Sequence, residues 1–222
     1  MGQTILTPHQ SQFLELVVGE KQLTRKFYLT GGTALAEFYY QHRLSEDLDF
    51  FNPDAEVSQT ALEVFLKKNL PKIGVSQVKK TVFLGLVTYV LNFPDGQQLK
   101  IDFNYYPFPL IRQGKKYKGL TIDSVYDIAA NKLHTMFMKP RSRDYVDLYF
   151  ILTREKYPLD KLIVDAKAKF DWHIEKSTLA SQFLRVKDFT DEPTMLVPLD
   201  RTKKEDFFLQ LSKSLEKEIF NS

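Results

Sequence analysis

Two glycines at the end of an apolar strand, followed at short range by two aspartates in a second strand, leave this chain few folds to adopt. The stretch reads YLTGGTALAEFYYQHRLSEDLDFF: Gly31-Gly32-Thr33, thirteen residues, then Asp47-Leu48-Asp49. It describes a strand, a glycine turn, a short helix and a strand bearing carboxylates. Glycine lets backbone N–H groups and a helix N-terminus come close to phosphate oxygens. Aspartates at i and i+2 of a strand point to one face, where they can jointly hold a hard cation. That order suits a nucleoside triphosphate and its divalent metal.

The 222 residues suffice for one large domain or two small ones. Hydrophobic and charged fractions of 43% and 27% are ordinary globular values. The 18 Phe and 11 Tyr require substantial buried volume. A net charge of +3 does not by itself demand a nucleic-acid partner, although 31 Lys and Arg leave room for a local basic surface. The absence of cysteine excludes disulfides and thiolate metal sites and is compatible with a reducing cytoplasm, the expected location. MGQTILTPHQ lacks a basic segment followed by an apolar core, so no signal peptide is expected. Thr81 to Phe93 is too short to span a membrane and suits a strand.

Thr7-Pro8 marks a helix start, with Thr7 as N-cap. Phe27–Thr30 is expected as a strand, Thr33–His42 as a helix, Asp47–Phe51 as a strand and Glu56–Leu70 as an amphipathic helix. KKTVFLGLVTYVLNF and QQLKIDFNYYPF, separated by Pro94-Asp95-Gly96, read as a hairpin. The basic IRQGKKYKG reads as a boundary loop. Helices are expected over Ser124–Met138, Arg143–Thr153, Leu159–Phe170 and Glu175–Lys187. A last one should run from Thr202 toward Phe220, with Thr202 and Glu205 as a capping box. The pattern predicts an α+β protein: an α+β core over 1–118 and an all-helical half over 119–222.

Asp47 and Asp49 lie among Leu48, Phe50 and Phe51, in a strand that should be largely buried. Buried charges are costly unless paired or bound to a cation. Asp102, in LKIDFNYY, joins them if its strand neighbours theirs. Three converging carboxylates favour Mg²⁺ as neutraliser and catalyst. Lys132 falls within the stripe Val125, Ile128, Ala129, Leu133, Met136, Phe137, where it either snorkels or serves an anion. On either reading Lys132→Met keeps the stem volume and is expected to leave the helix intact. Asp144 and Asp147 share a helix face, and the dipole explains Asp144 better than Asp147. Four histidines show no ligand spacing. Lys115, Lys116 and Lys118, with Tyr117, form either a solvated loop or a guide for an RNA backbone. A nucleotide-sugar glycosyltransferase using the same aspartates with Mn²⁺, and a catalytically weak nucleotide- or RNA-binding regulator, are the competing functional readings.

GGTAL…HRLSEDLDF, then IDF, then KLH…RSRDYVDLY resembles the AbiEii/AbiGii abortive-infection toxin family of nucleotidyltransferases, similar in core to the DNA polymerase beta superfamily. The resemblance runs from about Phe27 to Leu152. It implies a mixed-sheet nucleotidyltransferase core, with the helical half completing an active-site cleft. It places Gly32 and Thr33 at the nucleotide phosphates and Lys132 at the triphosphate, and Gly31, Arg43, Ser45 and Arg143 are further candidates on the nucleotide side. It gives Asp47 and Asp49 to Mg²⁺, or Mn²⁺ in its place, and the second-domain acid to Asp144 or Asp147; Asp102 would complete the acceptor-side metal site or act as a base. The wider superfamily has Gly-Ser where this chain has Gly32-Thr33, which keeps the hydroxyl. The implied reaction moves NMP from an NTP to an acceptor hydroxyl on RNA, the tRNA acceptor end by analogy, in a toxin restrained by a cognate antitoxin and independent of membranes.

Overall fold

The computed structural model describes residues 4–220. The first three residues of the stretch read for a leader lie outside them. The backbone forms two compact units, one of residues 1–109 and 113–124, the other of residues 110–112 and 125–222.

The first unit is a seven-stranded mixed sheet. Its strands are β1 (Tyr28–Thr30), β2 (Asp47–Asn52), β3 (Gln77–Phe83), β4 (Leu86–Asn92), β5 (Gln98–Tyr105), β6 (Lys116–Tyr117) and β7 (Leu120–Ile122), in the spatial order β3-β4-β5-β2-β1-β7-β6. Pairs β2–β5 and β1–β7 are parallel, the rest antiparallel. Alternation does the sorting. Leu48 and Phe50 of β2, Leu99, Ile101 and Phe103 of β5, and Val87, Tyr89 and Leu91 of β4 are buried. The intervening residues Asp47, Asp49, Lys100, Asp102 and Thr88 therefore share the opposite face. Helices α1 (Pro8–Val18) and α4 (Gln59–Asn69) serve the apolar face: the Phe13 ring lies 6.4 Å from both Phe50 and Phe65. Phe50 stacks on Phe103 at 5.1 Å. Removing either ring would cost about 3–5 kcal/mol.

Three expectations change here. The run KKTVFLGLVTYVLNF is two strands, because Leu84 and Gly85 both take left-handed backbone (φ 43° and 81°) and turn β3 back onto β4. That is the geometry of a two-residue hairpin turn, but an exposed leucine in its first position gives no turn signal. The boundary loop contains β6, and β7 follows it directly; the two extend the sheet through β1. The expected helix Thr33–His42 is instead α3 (Gly31–Leu35) followed by a π-helical turn, Ala36–Tyr40, closed by the N–H of Gln41 on the carbonyl of Ala36. A short α2 (Lys21–Lys26) precedes β1.

The second unit contains α5 (Val125–Met138), α6 (Ser142–Glu155), α7 (Leu159–Phe170), α8 (Lys176–Leu184) and α9 (Arg201–Phe220). The predicted apolar stripe of α5 is buried except for half-buried Phe137. α9 begins one residue before Thr202, and the side chain of Asp200, not Thr202, accepts the N–H of Lys203. At the base of α5 the Asp127 carboxylate accepts the N–H groups of Ile111 and Arg112 at 2.7 and 2.8 Å and pairs with Lys169 at 2.9 Å, both side chains fully buried. Among the described residues no helix is long and apolar enough to cross a membrane.

Candidate active site

Gly31 and Gly32 begin α3 at the end of β1. Gly31 has φ of 76°, where a side chain is strained, and a Cβ there would collide with Asp49 Oδ2. A Cβ on Gly32 would collide with the Arg43 guanidinium and crowd Ser45 Oγ, 3.1 Å away. Gly31 thus makes room for a carboxylate of β2, and Gly32 for the arginine and serine of the segment that leads into it. The aspartate meets the backbone of the turn because β1 and β2 pair antiparallel, with Thr30 opposite Asp49.

Thr33 and Arg43 are buried. The Thr33 hydroxyl donates to the main-chain oxygen of Asp47, locking the start of α3 to β2. Arg43 Nη1 donates to Leu44 O at 2.8 Å. Gln10, which sequence reasoning passed over, is 1% exposed and fixes the approach to β2. Its Nε2 donates to the carbonyls of Ser45 (2.7 Å) and Glu46 (3.0 Å), while its Oε1 accepts the N–H of Thr7 in a capping box.

On the polar face of the sheet the parallel register sets Asp49 opposite Asp102 and Asp47 opposite Lys100. The three carboxylates therefore share one patch. Two further side chains, not anticipated from sequence, complete it. Thr88 Oγ1 donates to Asp102 Oδ1 at 2.6 Å. Lys100 Nζ lies 2.6 Å from Asp102 Oδ2 and 3.6 Å from Asp47 Oδ2. Burial pulls the Lys100 ammonium down, but Asp102, Asp47 and Asp49 outweigh it and hold it above its ordinary value. A period of two links Lys100 to Asp102 and was the available signal. Among the described residues no three acidic or imidazole groups stand close enough as placed to hold a metal. The donor chemistry nonetheless fits a hard divalent cation: carboxylate oxygens on one face, beside a turn whose backbone is open to phosphate.

The helical unit holds the other predicted residues. Lys132 is 8% exposed and ion-paired to both Asp144 (2.6 Å) and Asp147 (2.7 Å). Burial raises the Asp144 carboxyl, but Lys132 and Arg141 together hold it below the usual carboxylate range. Asp144 also accepts the N–H of Arg141 at 3.0 Å. Arg143 lies in the same first turn of α6. Lys132 does not snorkel; it is the cation of a buried triad. In the basic segment, Lys118 pairs with Glu15 at 2.7 Å, and Lys115 donates to Phe38 O while lying 4.3 Å from the Tyr39 ring centre.

A mixed sheet with the paired aspartates on its polar face and a glycine turn alongside defines a nucleotidyltransferase fold. A Helicobacter pylori structure provisionally assigned as a nucleotidyltransferase superposes with a TM-score of 0.62 at 21% identity, covering 97% of this chain and 98% of that one. JHP933, also from H. pylori, gives 0.59 at 20% over 96% and 92%. MenT4, the nucleotidyltransferase toxin Rv2826c of Mycobacterium tuberculosis H37Rv, gives 0.56 at 15% over 94% and 84%. A curated Aquifex aeolicus protein, aq_aa25, is 28% identical over 190 residues, 84% of this chain and 86% of its own length. The family model for the nucleotidyl transferase AbiEii toxin of type IV toxin–antitoxin systems matches residues 12–219. The chain belongs to that family. It is a nucleotidyltransferase, and of the three readings open from sequence the family supports this one.

Proposed function

We propose that the chain transfers a nucleoside monophosphate from an NTP to an acceptor hydroxyl on RNA, the tRNA acceptor end being the first candidate, with release of pyrophosphate. The observation that carries this reading is the convergence of Asp49 and Arg43 on the Gly31-Gly32 backbone, beside Asp47 and Asp102 on the same sheet. Asp47, Asp49 and Asp102 would hold Mg²⁺, or Mn²⁺ in its place. A cation there would offset phosphate charge and make the acceptor oxygen easier to deprotonate. The open backbone at Gly32, with Ser45 Oγ and the Arg43 guanidinium nearby, would receive phosphate oxygens. Lys132 and Arg143 are candidates for the leaving pyrophosphate, and Asp144 and Asp147 would hold that lysine in position. Transfer of this type needs positioning and charge neutralisation more than covalent help. A toxin acting on tRNA and NTP would work in the cytoplasm, restrained by its antitoxin.

Purified protein incubated with total RNA and each labelled NTP in turn tests the reading. Wild type should label RNA with at least one nucleotide. Asp47→Asn and Asp49→Asn should each reduce labelling by at least about a hundredfold, since each removes one cation-holding carboxylate. Undiminished labelling in both variants would remove the carboxylates from the mechanism. Transfer to a protein in place of RNA would keep the chemistry and overturn the acceptor.

A further inference from the structure

We infer that Lys100 is a built-in counter-ion for the carboxylate face, occupying the position a divalent cation needs and leaving when that cation enters. The inference rests on the metal reading above. Lys100 stands opposite Asp47 across the parallel β2–β5 pair and two residues before Asp102, so its stem lies on the acid-bearing face. Its ammonium contacts one oxygen of each, Asp102 Oδ2 at 2.6 Å and Asp47 Oδ2 at 3.6 Å. A cation bound by those two residues through the same oxygens would sit within a few ångströms of the ammonium. A divalent cation and an ammonium about 4 Å apart repel by about 2 kcal/mol even in water, and by more beside a protein.

Two features suit Lys100 to yielding. Its side chain is 42% exposed, so the stem can swing into solvent without opening the fold. The Lys132 side chain, by contrast, is 10% exposed and held by two acids with almost no exposure of their own. The Thr88 hydroxyl stays on the other oxygen of Asp102, so that carboxylate keeps its orientation when the lysine departs. One of the carboxylate charges is thus offset without a metal, at the cost of weak affinity for a bare cation. A cation arriving with a triphosphate would gain the additional phosphate contacts needed to displace the lysine.

Mn²⁺ titration in the absence of nucleotide, read by the resonance of the free ion, tests this. Lys100→Met should bind Mn²⁺ at least about tenfold more tightly than wild type. Its melting temperature should be lower without metal and recover at saturating Mn²⁺. Lys100→Arg keeps the charge and can grip carboxylates with two parallel bonds, so it should bind Mn²⁺ no more tightly than wild type. Asp49→Asn locates the ion. Wild-type binding that Asp49→Asn abolishes and Lys100→Met leaves unchanged or weaker overturns the counter-ion assignment alone. No binding by wild type or Lys100→Met overturns the assignment together with the metal reading. Should Lys100→Met not fold, Lys100→Arg decides, and tighter Mn²⁺ binding by that variant refutes the inference.

Discussion

Lys132 has one side chain on either flank of its charge: Asp144 at 2.6 Å and Asp147 at 2.7 Å, both buried. From sequence, Lys132→Met looks silent, since methionine fills the stem volume. The two acids reverse that expectation. Without the ammonium they would face each other in a place where water cannot help, and breaking a buried pair in this way costs about 3–5 kcal/mol. The sign of the pH response is a sharper test. In wild type Asp144 is held below the usual carboxylate range, so its contribution to stability is present above that range and is lost as pH falls through the depressed value. In Lys132→Met the same carboxyl would be raised, so the deficit should shrink on acidification, because protonated acids tolerate burial. Denaturant unfolding of both proteins at neutral and mildly acid pH measures this. A variant as stable as wild type at pH 7 would show that the triad contributes nothing to the helical unit.

Among the elements, α1 does the least expected work. Its third residue, Gln10, caps its own helix and also holds the carbonyls of Ser45 and Glu46, the last two residues before β2. Gln10→Ala should lower stability by about 1 kcal/mol, because the carbonyls of Ser45 and Glu46 lose a donor and α1 loses its capping box. It should also reduce NMP transfer more than it reduces Mn²⁺ binding, since Asp47 and Asp49 remain while the loop carrying Ser45 loosens. Transfer assays beside Mn²⁺ titration check that split, and parallel losses would reduce Gln10 to a simple cap. Strands β2 and β5 were legible because one buried face imposes a period of two, and α7 because its apolar residues recur at helical spacing. The β3–β4 turn was hidden by a leucine in left-handed backbone, and the π-helical turn after Leu35 has no sequence signal that we can identify. Of the carboxylate patch, the three aspartates were visible as residue types in a pattern. The roles of Thr88 and Lys100 depend on which residue faces which across three strands, and register is settled only when distant segments meet.

At the scale of the whole molecule, 31 basic residues against 28 acidic ones leave a net charge of +3, too little for a strong long-range pull on RNA. Acceptor choice should therefore come from short-range contacts. Expression without an antitoxin should arrest growth, as befits the AbiEii toxin family, and the arrest should vanish with Asp49→Asn at equal protein level. Plating after induction measures it; arrest by both forms would trace toxicity to something other than transfer. The chain path carries one more consequence. Residues 110–112 belong with the helical unit although residues on either side of them belong with the sheet, and Asp127 secures them through the N–H groups of Ile111 and Arg112. A single genetic crossover near residue 124 would set a buried Asp127–Lys169 pair from one parent against a tripeptide from the other, whose backbone would have to present the same two N–H groups. The two units are therefore poor cassettes for exchange between relatives, and selection should keep them travelling as one heritable piece.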